Sequence, residues 1–228
     1  MFAIADLHLP GGSGKTMEKF DPEWINHDQK IEDCWKERVR EEDLVLVAGD
    51  ISWAMRLEEA LPDLERISAW PGRKILIRGN HDYWWSSIGK LRRSLDPGTF
   101  ALQNDCLYLD GMRICGSRGW ISPGGENFTA EDEKIYLREL LRLELSLKAA
   151  VNLQGELIVV LHFPPFNEKG EASGFVELMQ RYGVSRCIYG HLHGQSQEKA
   201  VIGLVQGISY HLVAADYVDF CPVEIISY

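Results

Sequence analysis

The sequence predicts an α/β fold built on mixed sheets, and three observations point to it. Short continuous apolar runs recur along the chain without alternation, as strands covered on both faces do. Segments with helical apolar spacing separate the early runs. After Thr99 the runs crowd together around turn signals, which implies antiparallel pairing. Strand-helix-strand units at the start and antiparallel pairs at the end fit one domain spanning residues 1–228.

Each element follows in turn. Phe2 to Ala5 reads as the first strand. Asp21 and Pro22 suit a helix start, and Trp24, Asp28, Ile31, Trp35 and Val39 follow at steps of about four, a mostly apolar stripe. Leu44 to Ala48 is the second strand. Leu57, Ala60, Leu61, Leu64 and Ile67 are helically spaced, and Pro62 is expected to divide that helix into two pieces. Ile75 to Ile77 is the third strand. Leu107-Tyr108-Leu109 and Met112-Arg113-Ile114 flank Asp110-Gly111, a two-residue hairpin signal. A leucine-rich helix is expected over roughly Ala130 to Ala149, opened by Glu131, Asp132 and Glu133. Leu157 to Leu161 and Cys187 to Tyr189 are further buried strands. Val201 to Val205, Ile208 to Val213 and Val223 to Ile226 complete the strand-rich end.

Composition narrows the function classes. No run approaches the roughly 18 apolar residues of a membrane span. The first strand starts almost at Met1, which leaves no room for a signal peptide and leads to a cytoplasmic expectation. A net charge of −10 without a basic run argues against nucleic acid as a partner. The five cysteines form no C-x-x-C pair and are odd in number, so free thiols are expected. Nothing in the sequence bears on oligomeric state.

Chemistry is concentrated in five clusters: Asp6-Leu7-His8, Gly49-Asp50, Gly79-Asn80-His81-Asp82, His162, and Gly190-His191-Leu192-His193. They hold five of the seven histidines, and each follows an apolar run. Residues at the carboxyl ends of strands meet at one sheet edge in open α/β folds, so the clusters are expected to converge there. Oxygen and imidazole donors without cysteine suit a dinuclear metal site. Residues 6 and 8, or 191 and 193, would point the same way from an extended backbone.

The ordered set D-x-H, G-D, G-N-H-D, H, G-H-x-H, running from Asp6 to His193, resembles the calcineurin-like metallophosphoesterase family, in an uncharacterised bacterial branch. The resemblance implies two packed mixed β-sheets flanked by helices, an α/β/β/α sandwich. It assigns Asp6, His8 and His193 to one divalent metal ion, Asn80, His162 and His191 to a second, and Asp50 to both. Manganese, iron or zinc suits such donors. It further implies hydrolysis of a phosphate mono- or diester of a small molecule by attack of metal-activated hydroxide. His81 is the implied proton donor, and Asp82 would hold its tautomer. With both carboxylates and a hydroxide in place, the site would keep a charge near +1, enough to attract phosphate. A nuclease or nucleotide phosphodiesterase is the alternative, and a binding scaffold without catalysis a further one. Many family members carry an acidic residue three positions after the shared aspartate, where this chain has Trp53.

Other features fall outside this set. Gly11 to Thr16 imitates a phosphate-binding loop, but position 9, where the pattern needs glycine, is Leu9. Arg56 and Arg118 are candidates to steady a phosphate, with ordinary ion pairing as the other reading. Trp53, Trp84 and Trp85 are expected in the core, and His27 and His211 at the surface or in packing. Phe163-Pro164-Pro165-Phe166 is expected as a rigid apolar loop at the mouth of the site.

Overall fold

The computed structural model describes residues 1–12, 14–15, 17–19 and 21–226, so Ser13 and Thr16 of the glycine-rich loop lie outside the described residues. The chain forms two compact units, Met1–Ala101 with Val213–Tyr228, and Leu102–Leu212.

The first unit contains β1 (Phe2–Ile4), α1 (His27–Arg38), β2 (Leu44–Val47), α2 (Leu57–Ser68), β3 (Arg73–Leu76), α3 (Ile88–Ser94) and β4 (Thr99–Ala101). The second contains β5 (Cys106–Leu109), β6 (Met112–Ser117), α4 (Ala130–Ala149), β7 (Glu156–Leu161), α5 (Gly174–Tyr182), β8 (Arg186–Tyr189), β9 (Gly203–Val205) and β10 (Ile208–Leu212). The chain then returns to the first unit for β11 (Val223–Glu224).

Each unit carries one mixed sheet. In the first the order is β11-β1-β2-β3-β4, with β1 to β4 parallel and β11 antiparallel to β1. In the second it is β5-β6-β7-β8-β10-β9, parallel from β6 to β10 with antiparallel strands at both edges. All four residues of β2 are buried, as its unbroken apolar run requires. Asp110 and Gly111 both take positive φ in the β5–β6 turn, the conformation the two-residue hairpin demands.

Lys74 is the charged residue among the buried strand positions. Its ammonium donates to the Ser68 and Trp70 carbonyls, satisfying acceptors left open at the end of α2. Thr129 caps α4: its hydroxyl accepts from the Asp132 N–H, and the Asp132 carboxylate accepts from the Thr129 N–H.

Several expectations need correction. The helix anticipated at Asp21 is two elements. Asp21 caps a short 3-10 turn, Pro22–Trp24, and α1 begins only at His27, after Asn26 takes a left-handed φ of 55°. Pro62 does not divide α2, which runs unbroken from Leu57 to Ser68. Pro62 and Glu58 are both exposed, so the carbonyl that loses its partner faces water, while Leu57, Ala60, Leu64 and Ile67 hold the opposite face in the core. The α5 helix was not anticipated. It has nine residues between Ser173, which caps it, and Gly183 at its left-handed end, too short for periodicity to stand out.

The cysteines are not all free. Cys34 of α1 and Cys221 are joined by a disulfide, with Cα atoms 5.4 Å apart; Cys106, Cys115 and Cys187 remain thiols. The partners are 187 residues apart, and only the return of the chain to the first unit brings them together, so no local spacing announces the bond. Among the described residues, no helix is long and apolar enough to cross a membrane.

Candidate functional site

The five clusters do stand at carboxyl ends of parallel strands, but on two sheets rather than one edge. Asp6 follows β1, Asp50 follows β2, and Asn80 to Asp82 follow β3 in the first unit. His162 follows β7 and His191 follows β8 in the second.

In the first unit, the chain beyond β1 stays hydrogen-bonded to the chain beyond β2. Asp6 N–H donates to the Gly49 carbonyl (2.9 Å), His8 N–H to Asp50 (2.9 Å) and Leu9 N–H to Ile51 (3.0 Å). The side chains do not come together by strand alternation, as an extended backbone would have it. Asp6, His8 and Asp50 have φ of 60°, 43° and 52°, left-handed values that cost a non-glycine residue about 1–2 kcal/mol each. All three are buried, and His8 Nε2 lies 3.9 Å from Asp50 Oδ2.

The G-N-H-D turn closes on Asp50 from the other side. His81 N–H donates to Asp50 Oδ1 at 2.8 Å, so the two oxygens of that carboxylate face different neighbours. Gly79 has to be glycine, because a methyl there would collide with the Asp50 carboxylate and amide.

Asp82 does not orient His81. Its Oδ1 accepts from the Ile51 and Ser52 amides (2.9 and 3.2 Å) and from the Trp84 indole (3.0 Å), and its Oδ2 from the Gly79 amide (2.7 Å). Full burial, and then the charge of Asp50, push its pKa up to about 6. Asp82 is therefore the pin that fastens the G-N-H-D turn to the loop after β2. Replacing Asp82 with Ala strands three buried amides and leaves the Trp84 indole only the Ser52 carbonyl at 3.3 Å, and is expected to cost about 2–4 kcal/mol in urea unfolding. A stability change below about 0.5 kcal/mol would contradict this role.

His81 is held by rings instead. Its imidazole packs 4.7 Å from Trp53 and 5.8 Å from His8, and its ring nitrogens make no hydrogen bond to the described residues. Trp53 stacks on His8 at 4.7 Å and 21°, so one indole touches both imidazoles. Trp84 and Trp85 are buried as expected, but Trp53 is only partly so and belongs to the site. His27 takes the packing role that was one of its two expected readings. It is buried, with Nδ1 3.0 Å from the Trp24 carbonyl oxygen and Nε2 3.2 Å from that of His8, buttressing the D-x-H loop from behind. Asp63 of α2 accepts from the Ser52 hydroxyl (2.5 Å) and the Gly11 amide (2.8 Å), and burial raises its pKa.

In the second unit, His162 is fully buried and its Nε2 lies 3.3 Å from His191 Nδ1. At that distance one imidazole nitrogen can donate to the other. Phe163 lies under His191 with centroids 3.9 Å apart, and His191 takes a φ of 72°. The Arg118 carbonyl accepts the His162 and Phe163 amides, both at 3.0 Å. The Arg118 guanidinium lies 3.3 Å from buried Glu139 and 4.4 Å over Trp120, the ion pairing that was the other reading of this residue. Arg56 is exposed at the start of α2. His193 is half-buried in extended backbone, and Asn80 half-buried in the turn.

The donor set fits divalent ions. Buried carboxylates and imidazoles with no thiolate match metals that take mixed oxygen and nitrogen ligands. Left-handed backbone at Asp6, His8, Asp50 and His191 is the kind of stored strain that clusters at functional sites.

Comparison with known proteins agrees. A family model described as calcineurin-like phosphoesterase matches residues 2–195. The Gene 66 protein of Mycobacterium phage D29 is 40% identical over 114 residues, which take in 41% of this chain and 56% of that protein. The chain thus matches little more than half the length of this curated relative. Among solved structures, the protein of unknown function AQ665 from Aquifex aeolicus aligns with a TM-score of 0.52 and 17% identity, covering 98% of this chain and 94% of that one. Phosphopantetheinyl hydrolase from Mycobacterium tuberculosis aligns with a TM-score of 0.54 and 16% identity, covering 93% and 88%. At these identities the structural likeness speaks for the fold alone.

Proposed function

The chain belongs to the calcineurin-like phosphoesterase family, and we propose that it hydrolyses a phosphate mono- or diester of a small molecule with the help of two divalent ions. The observation that carries this reading is the complete donor set in the family's order, with strained backbone at four of its members. Asp6, His8 and His193 would hold one ion and Asn80, His162 and His191 the other, with Asp50 shared between them. When bound, such ions supply Lewis-acid activation of water and of phosphoryl oxygens.

The chain's own residues do the rest. Asp50 is suited to the shared position because its oxygens are already oriented apart, one fixed by the His81 amide and one facing His8. His81, half-exposed and free of a competing carboxylate, is placed to give a proton to the departing oxygen. Trp53 fixes the angle of that ring by packing.

Incubating the purified protein with p-nitrophenyl phosphate and bis(p-nitrophenyl) phosphate tests this. Nitrophenol release should rise at least about tenfold over a chelator-treated control with manganese, iron or zinc added. No turnover with any divalent metal overturns the proposal. Cyclic nucleotides and single-stranded DNA are expected to be poorer substrates, given the net charge of −10.

A further inference from the structure

The second unit contains a cavity of about 230 Å³ that the proposed chemistry leaves unused. Ile121, Phe163, Pro164, Phe166 and Val201 give it an apolar wall to which the Phe-Pro-Pro-Phe segment contributes, while Asn167, Glu168, Ser196 and Lys199 add polar groups to the lining. Two features make it more than a packing defect. His191 lines it as well, so the cavity opens beside one of the proposed metal ligands, with Phe163 packed against that imidazole at 3.9 Å and tilted by 36°. Ser122 also lines it, is 5% exposed, and its buried hydroxyl has no hydrogen-bond partner among the described residues.

A buried hydroxyl without a partner costs about 1–3 kcal/mol, so its presence at an apolar wall points to a ligand atom that completes it. Size sets the ligand's scale. An apolar cavity of about 150 Å³ already binds benzene, so this one accepts a ring with a short chain attached. Binding pockets commonly combine apolar walls with a few placed polar groups.

We propose that this cavity is the subsite for the organic group of the substrate. It selects phosphate esters of aryl- or alkyl-bearing alcohols whose chain carries one hydroxyl, amide or carbonyl to meet Ser122. The substrate assignment rests on the phosphoesterase reading above, whereas occupation of the cavity does not. Sugar phosphates, polar on every face, would leave the apolar wall wet and are disfavoured.

Two measurements separate the claims. The first is binding of 3-phenylpropan-1-ol, which contains no phosphorus, to the protein as purified, followed by calorimetry and ligand-observed NMR. Saturable binding at one site is expected, lost in Val201→Trp, which fills the cavity, and weakened about fivefold or more in Ser122→Val, which keeps the volume and removes the hydroxyl. Melting curves confirm that both variants fold. The second compares 3-phenylpropyl phosphate with methyl phosphate, esters of alcohols of similar acidity, by phosphate release. The arylalkyl ester should lead in kcat/KM by about tenfold or more, and Val201→Trp should erase that lead.

Absence of saturable alcohol binding, or binding unchanged in both folded variants, overturns the inference. So does hydrolysis that treats the two esters alike. Specific alcohol binding without hydrolysis of any ester would instead overturn the phosphoesterase reading and leave the cavity's assignment standing.

Discussion

Asp50→Asn is expected to drop the bound divalent metal from two ions per chain to one or fewer, and to lower kcat/KM on aryl phosphoesters by about 10³-fold or more. The argument is geometric. Asp50 Oδ1 accepts the His81 amide at 2.8 Å, while Oδ2 faces His8 Nε2 at 3.9 Å. An amide of the same shape has one acceptor oxygen, so it serves one neighbour and presents N–H₂ to the other. If the oxygen keeps the His81 hydrogen bond, the shared cation position meets a donor where it needs an acceptor. If it turns the other way, two N–H groups oppose each other inside the turn. Gly79 packs too closely on the carboxylate for the side chain to move aside. The fold should survive, because the main-chain bonds from His8 to Asp50 and from Leu9 to Ile51 do not involve the side chain. Elemental analysis of the folded variant, beside its melting curve, reads the result. Two ions per chain with unimpaired turnover would remove Asp50 from the shared position.

How far the sequence discloses this protein varies by element, and the reasons are physical. Strands were readable where burial on both faces forces an unbroken apolar run: Leu44 to Val47 and Leu157 to Leu161 are buried without exception. The Asp110-Gly111 hairpin was readable because few residues tolerate two successive positive φ values. Pro62 misled because the rule against proline in a helix concerns a carbonyl denied its partner, and Glu58 lies on the exposed face of α2. The Cys34–Cys221 bond was invisible because it depends on the chain's return after 187 residues. At the site, residue types and order were legible, whereas the supports were not. Asp82 beside His81 in sequence suggested a contact, yet adjacent side chains in a turn diverge, and Asp82 reaches amides some thirty residues earlier. Trp53 looked like core because an indole carries no chemical signature of its own. Only coordinates reveal that its faces meet His8 and His81.

His81→Ala separates proton donation from metal binding more cleanly than any other substitution in this site. The contact His81 makes with Asp50 runs through its backbone amide, which alanine keeps, so metal content should remain that of the unmodified protein. What disappears is the ring, with its nitrogens open and its faces against Trp53 and His8. General acid catalysis contributes about 10²–10⁴-fold, and its share depends on how much the departing oxygen needs a proton. A nitrophenolate leaves readily unprotonated, whereas an alkoxide does not. The loss in kcat should therefore be smallest for p-nitrophenyl esters and approach the top of that range for alkyl phosphates. Measured over a series of leaving alcohols, the variant should show a steeper dependence of rate on alcohol acidity than the unmodified protein. A uniform loss across the series would mean that the ring only steadies bound phosphate. Loss of metal would mean that it belongs with the ligands. Either result would require a different proton source for the leaving group, and the described residues bring no other unengaged imidazole against the ring of His8.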